Sequence, residues 1–198
     1  MVMPKSFSER EKENIKKNLL EACKQSWTQY GYKKTSVDEL CRQAGISKGA
    51  FYLFFESKEA LFCDVLCSVQ EQICEETGRI MEEQRDRYGA AKAIKMIYRE
   101  YHKNNFLYNG DSRDFTVLMN RLSEQQAKRL EQSNNRCRQL FENMSHLRLK
   151  VPKDMAISVI YSLIMNIRNK EVLPWNHMEI FDFMTDHLIE SLYEEEHL

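Results

Sequence analysis

With 198 residues, 42% of them hydrophobic and 30% charged, the chain can bury one substantial core or two smaller ones, which excludes a disordered tail. The formal charge of −1 is unevenly spread. Residues 1–60 hold eleven Lys and Arg against eight Asp and Glu, net +3, and residues 61–198 hold eighteen against 22, net −4, so the basic end is the amino-terminal end.

Only 3 prolines and 6 glycines punctuate the sequence, and apolar residues recur at spacings of three and four rather than two, which predicts an all-α fold of about nine helices. The first helix is expected to start at Ser8, whose hydroxyl can cap while Glu11 reaches back, and to end before Gly31. Its buried face reads Ile15, Leu19, Ala22, Cys23, Trp27 and Tyr30. A second start follows in SVDE, where Ser36 is the cap and Glu39 its partner three residues on; Val37, Leu40, Cys41 and Ala44 then form one apolar stripe and Gly45 ends the helix. After the short turn AGI, Ser47 caps a third helix. Two short helices joined this tightly through a glycine are the sequence form of a helix-turn-helix.

Ser57 is expected to cap a longer helix with a stripe of Leu61, Val65 or Leu66, Val69 and Ile73. Five more helices are predicted near 89–107, 112–122, 124–147, 152–170 and 177–194. The expected division is an amino-terminal helix-turn-helix domain over 1–56 and a helical regulatory and dimerisation domain over 57–198. The opening MVMPKSFSEREKENIKK is charged rather than apolar, and the longest near-apolar run, AISVIYSLIM at 156–165, is about half of the ~20 residues that span a bilayer. A soluble, cytoplasmic protein without a membrane role is therefore expected.

The third helix carries the chemistry. A helix that enters a major groove presents its first turn to the bases, where bulky side chains would hold it away. Ser47, Lys48, Gly49 and Ala50 are small or flexible at that end. Gly49 costs about 1 kcal/mol of helix stability relative to alanine, which a stability-only account leaves unexplained and a close backbone approach explains. Phe51 and Phe55, four apart, can face the preceding helix, while Tyr52 points elsewhere with a hydroxyl that can reach a phosphate. Lys33, Lys34, Lys48 and Lys58 would add sequence-independent attraction to a phosphate backbone.

The whole stretch TSVDELCRQAGISKGAFYLFFESKEALF, from Thr35 to Phe62, closely resembles the DNA-binding signature of the TetR family of bacterial transcriptional regulators, and Trp27 and Gly31 extend the likeness into the first helix. It covers roughly the first third of the chain. By that resemblance Thr35, Ser36, Ser47, Lys48, Gly49, Ala50, Tyr52 and Lys58 fall where such proteins touch DNA. Phe54 stands where family members usually carry histidine or tyrosine; the expectation is that it faces the DNA backbone with no hydrogen bond to donate. The resemblance also implies a homodimeric repressor that binds a palindromic double-stranded operator and is released by a small-molecule effector.

Methionines and aromatics at helical spacing in the second part can line an apolar cavity. The candidate effector contacts are Tyr98, His102, Phe115, Met119, Tyr161, Met165 and Trp175, with an apolar effector expected. Around PKDMAISVIYSLIMNIRNK the apolar residues exceed one stripe, so Met155, Val159, Ile160, Ile164 and Ile167, with Phe181, Met184, Leu188 and Leu192 of the last helix, are the candidate dimer interface. The six cysteines (23, 41, 63, 67, 74, 137) show no CxxC pair and read as reduced thiols. The five histidines form no HxxxH or HExxH pattern, and no GxSxG, phosphate loop or dinucleotide-binding glycine pattern occurs. No metal, no cofactor and no enzymatic activity are therefore expected. The alternatives are a helical protein-binding adaptor, or a small-molecule-binding enzyme without specific DNA binding.

Overall fold

The structure, a computed structural model, describes residues 7–107, 109, 112–142 and 147–194, without the side chains of residues 137, 138 and 140–142. Nine α-helices run through the described residues: α1 (Glu9–Lys34), α2 (Val37–Ala44), α3 (Lys48–Phe51), α4 (Lys58–Glu83), α5 (Arg87–Lys103), α6 (Arg113–Met119), α7 (Glu124–Glu142), α8 (Lys153–Met165) and α9 (His177–Leu192). Tighter 3-10 turns at Asn105–Leu107 and Asn166–Val172 follow α5 and α8, where regular helix had been expected to continue. Among the described residues the β pairing is a single bridge between Leu149 and Tyr193. The fold is all-α.

The helix starts follow from local hydrogen bonding. Ser8 and Glu11 form the expected capping box, with Glu11 N–H donating to Ser8 Oγ at 3.3 Å and Ser8 N–H to Glu11 Oε2 at 2.8 Å. Ser57 Oγ accepts from Ala60 N–H at 3.0 Å, Asp86 caps α5 and Ser112 caps α6 in the same manner. α1 does not stop at Gly31 but resumes beyond it as far as Lys34. Gly31 itself has φ +81°, a backbone state that glycine adopts without steric cost, so the helix breaks there and its last turn is re-aimed. The re-aiming exposes Tyr30, which the periodicity had placed in the core, and buries Tyr32 instead.

The chain divides into two compact units. The first comprises Met1–Ser68 and Asn109–Leu130, and the second Val69–Tyr108 and Glu131–Leu198; the divisions fall within α4 and within α7. In the first, α1 packs on α2 and on α6, and α2 on α3. Its core gathers Leu19, Cys23, Trp27, Tyr32, Leu40, Phe51, Phe55, Phe62 and Leu118. Trp27 and Phe62 lie 4.7 Å apart, and Tyr32 meets Phe62 edge-on at 5.0 Å, so α1 and the start of α4 are joined through aromatic rings. In the second unit α5 packs against α8 and α9 around Ile94, Ile97, Ile160, Ile164, Ile167, Phe181 and Ile189.

Cys23, Cys41, Cys63 and Cys67 are buried and not bonded in disulfides, as expected. Cys74 differs, being bonded in a disulfide. Among the described residues no helix is long and apolar enough to cross a membrane, and no group of three or more His, Cys, Asp or Glu could hold a metal ion.

Candidate nucleic-acid interface

Residues 35–55 build a helix–turn–helix from local rules. Ser36 Oγ accepts from Glu39 N–H at 3.2 Å and starts α2. Its end is a glycine-dependent cap: Gly45 sits at φ +70°, ψ 31°, its N–H bonds to Arg42 O, and Ile46 N–H reaches back to Cys41 O at 3.0 Å. That pair of bonds turns the chain sharply. Ser47 begins α3 at once, its Oγ accepting from Ala50 N–H at 3.1 Å. Phe51 and Phe55 then fill the core, 5.9 Å apart, and so fix which face of α3 is left outside.

On that outer face Ser47, Lys48, Gly49 and Tyr52 are exposed and Ala50 is half-buried. A Cβ added at Gly49 would meet only Ser47 Oγ at 3.9 Å, so packing inside this chain does not demand a glycine there. Tyr52 is 52% exposed, its ring edge-on to Phe51 at 5.2 Å. Leu53, 72% exposed beside it, is an outer residue that the sequence reading passed over. Lys48 reaches Asp38 at 3.0 Å, and the hydrogen bond and charge of Asp38 raise its already high pKa; the pair is exposed and holds the ammonium only weakly. Ser36, Lys33 and Lys34 are also exposed.

Three expected contacts are placed differently. Thr35 is buried, its hydroxyl donating to Gly31 O at 2.8 Å, because the break at Gly31 leaves a carbonyl that needs a partner. Lys58 is turned inward: its ammonium donates to Tyr32 O at 2.5 Å and lies 4.1 Å from the centre of the Tyr32 ring. Burial pushes the Lys58 pKa below its ordinary value, with Glu59 working against that. Phe54 is half-buried, its ring 6.1 Å from Phe7 just ahead of α1, so apolar packing takes up part of the side chain that had been assigned to the DNA backbone.

The segment that carries Lys33 and Lys34 is braced by residues that motif reading missed. Asp114 on α6 accepts from the backbone N–H of Tyr32 at 2.5 Å and of Lys33 at 3.1 Å. Its Oδ2 would stand 2.7 Å from a Cβ at Gly31, so the glycine permits the approach. The Tyr32 hydroxyl donates to Glu59, which Arg121 faces at 3.7 Å. Burial and then Glu59 push the Tyr32 phenol above its ordinary pKa. An acid at position 114, 82 residues from Tyr32, carries no local signal of this role.

The family described as bacterial regulatory proteins, tetR family, matches residues 19–65, which run from within α1 into the start of α4 and include α2 and α3. Over those residues the chain is similar to the DNA-binding part of the TetR family. An uncharacterised HTH-type transcriptional regulator, YhgD of Bacillus subtilis, is 37% identical over 67 residues, 34% of this chain and 35% of that protein. The chain thus spans about a third of the length of that curated relative. The TetR fold extends over the rest: a TetR/AcrR-family regulator of Thermobifida fusca covers 88% of this chain and 96% of its own with a TM-score of 0.69 at 15% identity. FadR of Bacillus subtilis, solved in complex with stearoyl-CoA, covers 88% and 98% with a TM-score of 0.67 at 13% identity.

The expected effector contacts do not form one set. Phe115, stacked on Trp27 at 6.4 Å, and Met119 belong to the first unit. Tyr98, His102, Tyr161, Met165 and Trp175 belong to the second. There Tyr161 and Trp175 are exposed, Trp175 Nε1–H donating to Glu179 at 2.8 Å, whereas Tyr98 is buried and pairs with His177, itself beside His102. The expected dimer residues also separate. Val159, Met184 and Leu188, with Met165, line an open groove of about 730 Å³ between α8 and α9, and Met155 is exposed. Ile160, Ile164, Ile167, Phe181 and Leu192 are instead buried in this chain's own core, because α8 and α9 each spend one apolar face on α5 and on each other.

Proposed function

We propose that this chain is a TetR-family transcriptional regulator that works as a homodimer, a repressor whose α2–turn–α3 unit reads a palindromic operator and whose second unit takes a small-molecule effector. The observation that carries the reading is the outer face of α3, where Ser47, Lys48 and Gly49 keep the first turn low and accessible and no internal packing asks for the glycine. The domain boundary belongs to the same proposal: a helix-turn-helix part over 1–56 and a regulatory part over 57–198.

The groove between α8 and α9 supports a dimer. Met155 and Phe183, exposed large apolar side chains, lie on the same two helices. A two-fold dimer sets the separation of two α3 helices, so an effector that prefers the state with the wrong separation lowers DNA affinity by its differential affinity for the two states. FadR, of like fold and solved with stearoyl-CoA, supports an effector with an apolar portion. Selection of bound fragments from random duplex DNA, followed by sequencing, tests the reading. A recovered palindrome is expected; retention without any enriched sequence would sink it.

A further inference from the structure

Within the second unit, three elements bring together side chains that are rich in donors and poor in acids. The Tyr98 hydroxyl on α5 and Nδ1 of His177, the first residue of α9, are 3.0 Å apart. The His177 ring lies 4.8 Å from that of His102 on α5. Lys170, in the turn after α8, points its Nζ at His102 Nδ1 over 3.4 Å. An ammonium can only donate, so Nδ1 of His102 is the acceptor and Nε2 carries the proton. His102 thereby offers an N–H rather than a lone pair, which favours an anion over a metal ion.

Charge points the same way. Burial first, and then Lys170, depresses the pKa of both imidazoles, so the cluster holds less positive charge than it has groups to carry. The carboxylate that acts on the pair, Glu171, is 85% exposed and stands 3.8 Å from Lys170, a pair too solvated to neutralise the cluster. The amino-terminal end of α9 adds the positive end of its backbone dipole. One flank is apolar, since the Tyr98 ring stacks on Phe181 with centroids 3.6 Å apart.

We propose that His102, Lys170 and His177, held in place by Tyr98, form the subsite for an oxyanion of the effector, a carboxylate or a phosphate, beside an apolar wall. The inference rests on the regulator reading for the word effector, and not for the binding itself. An incoming oxyanion accepts from the Lys170 ammonium in place of His102 Nδ1, and the freed Nδ1 takes a proton from water and donates to the same anion.

Imidazole NMR of the full-length protein tests this with acetate and inorganic phosphate as probes, against chloride at matched ionic strength. Saturable shifts of the His102 and His177 resonances are expected, with His187, exposed farther along α9, unmoved. Lys170→Met and His102→Gln, both at part-exposed positions, should each weaken the midpoint at least tenfold while leaving the thermal transition cooperative. The anion with the lower midpoint identifies the headgroup class. No saturable shift with either anion, an equal shift with chloride, or a response to zinc alone would overturn the proposal. Retention on the selected duplex is measured in parallel: its loss in the wild type counts against the regulator reading, whereas retention without an anion response counts against the subsite alone.

Discussion

The carboxylate of Asp114 accepts the backbone N–H of Tyr32 at 2.5 Å, which ties α6 to the last turn of α1, where Lys33 and Lys34 lie exposed. Charged acceptors on backbone amides are worth about 1.5–3 kcal/mol each in a partly buried setting. Asp114→Ala should therefore lower the melting temperature by several degrees, since ~1 kcal/mol moves a protein of this size by about 2–4 °C. Gly31→Ala should do at least as much damage, because it adds a Cβ at φ +81° and 2.7 Å from Asp114 Oδ2. Unchanged melting of both variants would show that the clamp contributes nothing.

Lys48 and Lys58 should part company in a salt titration. Lys48→Ala removes an exposed ammonium from the outer face of α3 and should flatten the slope of log affinity against log salt by about 0.9, the loss of one phosphate contact. Lys58→Met removes an ammonium already engaged by the Tyr32 carbonyl, so it should lower the melting temperature and leave the slope unchanged. A slope reduced by Lys58→Met would mean that its side chain swings outward on DNA.

Phe54 should behave as a packing residue. Its ring lies near Phe7 and is only half-buried, so Phe54→Ala should cost less than the 3–5 kcal/mol of a fully buried aromatic, about 1–2 kcal/mol by denaturant titration. Phe54→Tyr should leave operator affinity within about twofold, well under the tenfold that 1.4 kcal/mol brings. A tyrosine variant that binds tenfold tighter would restore the DNA-facing assignment.

Acid should weaken the second unit before it weakens the carboxylates. His102 and His177 titrate below the ordinary value of 6.5 in the folded state, so around and below that pH the unfolded chain binds more protons. Stability then falls as pH drops from about 6.5 through the depressed values, and it is fully retained above 6.5. Glu39, Glu59 and Glu76, all lowered from 4.5, lose their contribution only in a more acidic window. Melting scans between pH 7.5 and 5.5 should show the decline in the wild type and a flatter profile in a His102→Gln, His177→Gln double variant.

The groove between α8 and α9 should be an interface between copies. Met184→Asp places a charge among Val159, Leu163 and Leu188 and should convert the proposed dimer to a monomer by light scattering at micromolar concentration, with helical content retained. A wild-type chain that is already monomeric would refute this surface.

Local features are legible in the order of residues alone. Ser8, Ser36, Ser47 and Ser57 mark helix starts because each bonds to an amide three residues away, and Gly45 marks a turn because φ +70° excludes most side chains. The outer face of α3 was legible for the same reason, since Phe51 and Phe55, four apart, must share the inner one. Packing settles what lies between distant residues: that Lys58 turns back to Tyr32, that Asp114 clasps an amide 82 residues away, and that Tyr98 meets His177 at a separation of 79. Helical periodicity tells which side chains share a stripe, but an apolar stripe looks the same whether α5 or a second copy of the chain covers it. Ile160, Ile164 and Phe181 were therefore unresolvable in sequence from Val159, Met184 and Leu188, and packing alone separated core from groove.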